Sequence, residues 1–171
     1  MSPEKKPPVW REPLESQYAA ALEMLGNAMR ACPPPLWDDS DVPVAQRFWY
    51  LAFHTLFWTD RDQEPNEQDH RPPAPFTLDE LDPAGVYPER TYTPLELLAY
   101  LEHVRGRCRA ALGALDEKRA ASRCGVAARE MNVLEMYLYS LRHVQHHTAQ
   151  LQLLLRQGAG MAPGWVGRGR W

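Results

Sequence analysis

The chain has no apolar run approaching the length of about 20 residues that a membrane span needs. Its opening, MSPEKKPPVWREP, has no apolar signal core, so export is not indicated. Cysteine is scarce: Cys32, Cys108 and Cys124 are an odd number and form no CxxC. A disulfide framework is therefore not expected, and a reducing cytoplasm fits better. There is no surplus of positive charge either. Nineteen Lys and Arg face 22 Asp and Glu, for a net charge of −3, which argues against a protein that binds nucleic acid by neutralising phosphates. The expectation is a cytoplasmic protein with neither membrane nor nucleic acid as partner.

What is present is helical pattern. The 171 residues suit a single domain with a substantial core. Sixteen prolines are many, but they cluster outside the apolar periodic segments. Tyr18, Ala21, Leu22, Leu25 and Met29 recur at helical spacing and predict a first helix over 14–31, stopped by Cys32-Pro33-Pro34-Pro35. Pro43 suits the first turn of a second helix reaching about Asp60, apolar nearly all round and so buried on several sides. Residues 61–92 hold six prolines and read as a long connection, with one short turn over 77–81. Thr93-Pro94-Leu95-Glu96 has the form of a capping box and opens a third helix to about Leu115. Residues 116–129 form a shorter connection.

The fourth helix, MNVLEMYLYSLRHVQHHTAQLQLLLRQ over 131–157, contains neither proline nor glycine. Leu134, Tyr137, Leu138, Leu141, Val144, Thr148, Leu151 and Leu155 fall on one face and predict its core side. The tail, 158–171, has five glycines and reads as irregular, although Trp165 and Trp171 want apolar surface to lie on. The predicted fold is all-α: a four-helix bundle with its core over about 14–157. The thirty-odd residues between helices 2 and 3 can travel a helix length of about 25 Å, which permits these helices to run parallel, in up-down-down-up order.

The fourth helix carries His143, His146 and His147. His143 and His147 are four apart and stand one above the other at the edge of the apolar stripe. His146 is turned toward the wetter side. Two imidazoles so spaced can share a transition-metal ion, and His54 on the aromatic second helix could complete a three-histidine site. Three protein ligands leave a position for water or substrate, as catalytic sites do. Spacing alone leaves the other reading open, in which these are hydrogen-bonded core or boundary histidines. His70, in the proline-rich connection, is expected to be solvated, and His103 to be a surface or boundary residue beside Glu102, Arg105 and Arg107. Cys108 is read as a core residue and Cys124 as a loop residue.

Where helical HExxH sites place a glutamate after the first histidine, this chain has Val144. No carboxylate base is built into the motif, so a nucleophile would be water or a substrate thiol activated by the metal. Glu130 and Glu135 precede His143 by one to three turns and could act nearby. Arg47 and Arg61 flank His54 and could orient an anionic substrate.

Three segments together resemble the DinB/YfiT-like superfamily: Phe53-His54-Thr55-Leu56-Phe57-Trp58, Tyr92-Thr93-Pro94-Leu95-Glu96-Leu97-Leu98, and His143-Val144-Gln145-His146-His147-Thr148-Ala149-Gln150-Leu151. The resemblance covers roughly 15–157. It implies a four-helix up-down-down-up bundle with metal ligands at His54, His143 and His147 and a divalent zinc, nickel or iron ion as cofactor. Several members are transferases or isomerases using low-molecular-weight thiols, and members are often homodimers. The expected function is activation of a thiol or water for attack on a small-molecule substrate. The alternative is a helical scaffold or binding protein without catalysis.

Overall fold

The computed structural model describes residues 7–126 and 129–171. Among these the chain is all-helical, with no strand and a single isolated bridge between Arg123 and Asn132. The long helices are α1 (Arg11–Ala31), α3 (Phe48–Arg61), α4 (Pro94–Gly113) and α6 (Val133–Ala159), with short helices α2 (Pro34–Trp37) and α5 (Glu117–Ala121) between them. None of the described helices is long and apolar enough to cross a membrane.

The helix ends follow local chemistry. Thr93 caps α4, accepting from the Glu96 amide while the Glu96 carboxylate takes the Thr93 amide, so two orphan donors are satisfied reciprocally. Asn132 caps α6 by accepting from the Glu135 amide, which starts that helix two residues later than the apolar pattern predicts. Pro43 does not open the second long helix. It precedes a 3₁₀ turn over Val44–Gln46, and an extended Arg47 then separates that turn from α3. The triple proline ends α1, and its second and third prolines begin α2, where their missing N–H groups cost nothing.

Helices α1 and α3 each pack against both α4 and α6. The core they enclose includes Tyr18, Leu22 and Leu25 of α1, Phe53 and Phe57 of α3, Leu101 of α4 and Leu151 of α6, all fully buried. Cys108 is buried in it. Cys124 is buried as well, so this loop thiol is closed to solvent. Helix α6 turns a slightly different face inward than the wheel predicts. Met136, Ser140 and Gln152 are buried, while Leu138 is half-exposed at the stripe's edge.

Aromatic contacts fix α3 to the segment before α4. Phe53 stacks on Phe76, and Trp49 meets the Tyr92 ring edge-on. At the other end of α3 the buried Asp60 accepts from the Tyr100 hydroxyl at 3.1 Å and from Arg107 Nη1 at 2.8 Å, both on α4. His70 packs edge-on against Phe57 and is only 1% exposed. The expectation of a solvated His70 is thus overturned: the connection folds back over α3 and carries the ring inside. His103 lies at the surface, as expected, within 3.6 Å of Asp60.

The tail is irregular but docked. The Gly169 amide donates to Ser16 O, and the Gln17 side chain donates to Gly167 O, so the end of the chain lies along α1. Trp171 packs partly buried against the core, whereas Trp165 stays 74% exposed.

Candidate metal centre

His54 sits mid-way along α3, one turn from Tyr50 and one from Trp58. Helix α6 presents His143 and His147 from successive turns of one face. The packing of α3 on α6 brings the three rings together, with centroids of His54 5.3 Å from His143 and 4.8 Å from His147. One ring nitrogen from each histidine lies within 4.8 Å of the others. Nε2 of His54 and Nε2 of His143 are 3.4 Å apart. That is close to the separation of two nitrogens bound tetrahedrally at about 2.0–2.1 Å from one zinc ion.

Two of the three outer nitrogens are held from behind. Glu80 Oε2 lies 2.7 Å from His54 Nδ1 and also accepts from Trp58 Nε1 at 2.7 Å. Burial disfavours the Glu80 carboxylate, but hydrogen bonds from His54, Tyr50 and Trp58 outweigh it and hold its pKa below the ordinary value. An ionised Glu80 can only accept, so His54 Nδ1 carries a proton and Nε2 is the nitrogen turned toward the centre. His147 Nδ1 is 2.6 Å from Gln150 Oε1, which likewise leaves Nε2 as the nitrogen available to a ligand. Burial, followed by the neighbouring histidines, pushes His143 down to about 3 and His147 to about 4, so both rings are neutral near pH 7. Neutral imidazoles with free lone pairs are the donor set of zinc, nickel, copper and ferrous iron. His143 Nδ1 is buried without a hydrogen-bond partner.

The three histidines open onto a pocket of about 240 Å³ whose other walls are Trp58, Asp62, Arg129 and Tyr139. Arg129 Nη1 donates to Asp62 Oδ1 at 3.0 Å, and the guanidinium lies over the Tyr139 ring, 4.1 Å from its centroid. Burial raises Asp62 to about 6 despite the pull of Arg129.

The residues expected near the site divide cleanly. His54, His143 and His147 converge, and His146 is exposed beside them. Glu130 and Glu135 do not reach the pocket; they line a separate surface hollow with Arg123 and Asn132. Arg47 pairs with Asp38, and Arg61 pairs with Glu67 and stacks over Trp58, so neither lines the pocket. Glu80, Asp62, Arg129 and Tyr139 were not legible as site residues. Glu80 sits in a single 3₁₀ turn, Asp79–Leu81, within the proline-rich connection, where no periodicity ties it to His54. The expected turn over 77–81 is there, but nothing in its sequence announces its partner.

The sequence profile of the DinB superfamily matches residues 14–151. The chain belongs to the DinB superfamily. The matched span holds all three histidines and the four long helices apart from the first residues of α1 and the last turns of α6. No curated protein and no solved structure matches the chain. What this DinB-superfamily chain does must therefore be argued from its own site.

Proposed function

We propose that this DinB-superfamily chain is a metal-dependent enzyme in which His54, His143 and His147 hold one divalent zinc, nickel or iron ion. Its substrate would be a small molecule, attacked by a low-molecular-weight thiol or by water. The observation carrying this reading is the pairing of roles at the rings: one nitrogen of each histidine converges, while Glu80 and Gln150 occupy the far nitrogens of His54 and His147. Catalytic metal sites use the same division, with ligands aimed inward and outer partners fixing tautomer and orientation. A divalent ion held there would supply acidity to a thiol or water, which would then be a nucleophile near neutral pH. The chain's own part is to keep His143 neutral by burial, to fix the His54 proton on Nδ1, and to wall the pocket with Trp58 and Tyr139 so that substrate displaces water.

We read the four long helices as an up-down-down-up bundle. Trp49 lies by Tyr92 and Asp60 by Arg107, which supports α3 and α4 running the same way. Arg11, at the start of α1, donates to Leu115 O beyond the end of α4, which supports α1 running against α4. Association into a homodimer is part of the same proposal, and the half-exposed Leu138 and Leu153 of α6 are surface that a second copy could cover.

The experiment is elemental analysis of untagged protein beside His54→Ala and His143→Ala. About one ion per chain in the wild type, lost in both variants with helicity intact, is the expected result. No ion in the wild type, even after reconstitution with zinc, nickel and ferrous iron, overturns the reading and leaves a helical scaffold.

A further inference from the structure

The acidic and basic groups around the histidine pocket do not face it equally. The Asp62 side chain is 1% exposed and that of Glu80 is 4% exposed, each turned inward onto its own partners. Arg129 is the open member of its pair, with its side chain 20% exposed. A guanidinium carries five N–H donors in a flat fork. The contacts to Asp62 and to Met136 both fall on Nη1, while Tyr139 supports the guanidinium face. Asp62 therefore fixes the direction of the fork without covering it. A ligand entering beside the three histidines meets a cation held in one orientation, and no comparably open carboxylate among the lining residues.

The adjoining hollow repeats this sign. It shares Tyr139 and His143 with the first pocket, has a volume of about 490 Å³, and adds Arg142, Gln145 and His146. Arg142 is exposed and makes no ion pair among the described residues. The two hollows adjoin at Tyr139 and His143, and each offers one arginine: Arg129, paired with the inward-turned Asp62, in the first and Arg142 in the second.

From this geometry we infer that the substrate carries a carboxylate, and that Arg129 is the residue that receives it while the reacting group lies at the histidines. The inference rests on the metal-site reading above and adds the substrate class. A bidentate Arg–carboxylate pair fixes a small molecule in distance and in plane, which a point charge would not. Tyr139 limits rotation of the guanidinium, and Arg142 extends the recognition to a second acidic group on a longer substrate.

The test uses protein loaded with cobalt(II), whose absorption spectrum reports the three-histidine site and any thiolate bound there. Three thiols of similar size are titrated: 3-mercaptopropionate, 2-mercaptoethanol and cysteamine. The expected order is mercaptopropionate tightest by roughly tenfold or more over mercaptoethanol, with cysteamine weakest. Arg129→Gln should remove the advantage that the carboxylate gives mercaptopropionate over mercaptoethanol. Because that variant strands Asp62, the double variant Asp62→Asn with Arg129→Gln, which replaces the ion pair by two neutral amides, is measured beside it. Equal affinity for the three thiols, or a preference that survives in the double variant, overturns the inference while the metal site stands. Should cobalt bind but no thiol perturb its spectrum, the thiol reading fails separately. Calorimetry of propionate against propanol then decides the carboxylate question, Arg129-dependent binding of propionate supporting it and equal or absent binding overturning it.

Discussion

The Glu80 carboxylate lies 2.7 Å from Nδ1 of His54, and so a residue in the proline-rich connection decides which nitrogen of a helical histidine faces the other two. The same oxygen takes the Trp58 indole N–H, so the carboxylate is fixed from two sides of one helix turn.

Replacing Glu80 by Gln should therefore act on the proposed metal site without dismantling the fold. The substituted amide would still accept from Trp58 but would no longer present an anion to His54. Loss of such an outer partner weakens metal binding by about 10–100-fold. Zinc competition against a chromophoric chelator, for wild type and Glu80→Gln side by side, measures this. Equal affinities would mean that Glu80 merely closes the connection over α3.

How much of this was legible depends on whether residues are related by local spacing. His143 and His147 stand out because a helix puts i and i+4 on one face. The Thr93–Glu96 box was legible because both partners lie within one turn. His54 was singled out as a helical histidine and by resemblance, 89 residues from His143, and only tertiary packing joins them. Glu80 lies in an isolated 3₁₀ turn and Asp62 and Arg129 lie beyond helix ends, where helical periodicity does not apply, so their convergence could not be read. His70 departs from its expected solvation for the same reason. A polar residue between prolines reads as solvated, yet the connection packs onto Phe57. Pro43 shows the limit of end signals: the residue suits a first turn, and the first turn it starts is 3₁₀ and separate from α3.

The tail offers a second check. A Cβ placed on Gly169 would lie 2.2 Å from the backbone nitrogen of Ala20 and 2.4 Å from Ala19 C, atoms that cannot give way without moving α1. Gly164, in the same tail, has nothing within 4 Å. Gly169→Ala should cost about 1–3 kcal/mol or undock the last residues, as overpacking generally does. Gly164→Ala should change stability little. Urea unfolding followed by tryptophan fluorescence separates the two, since Trp171 rides on the docked end. Equal stabilities for the two variants would mean that the tail does not rest on α1 in solution.

Acid sensitivity should trace in part to His70. Its ring is buried with neither nitrogen hydrogen-bonded, and burial, then the nearby Arg107, Arg61 and Arg71, lowers its pKa to about 4. In the unfolded chain the value returns to about 6.5. Between these values the unfolded state holds a proton that the folded state lacks, so unfolding takes up a proton and stability falls as pH falls. The contribution is fully present above about pH 6.5 and is lost progressively toward about pH 4. Asp62, raised to about 6, works in the opposite sense, stabilising below its unfolded value and losing that as pH rises through 6. A comparison with His70→Leu cancels Asp62 and every other group common to both proteins. Between pH 7 and pH 5 the wild type should lose about 2 kcal/mol more than the variant, on the order of 1.4 kcal/mol for each pH unit in which one extra proton is taken up. Urea midpoints at the two pH values measure the difference. Parallel losses in the two proteins would place His70 in contact with water and remove it from the acid response.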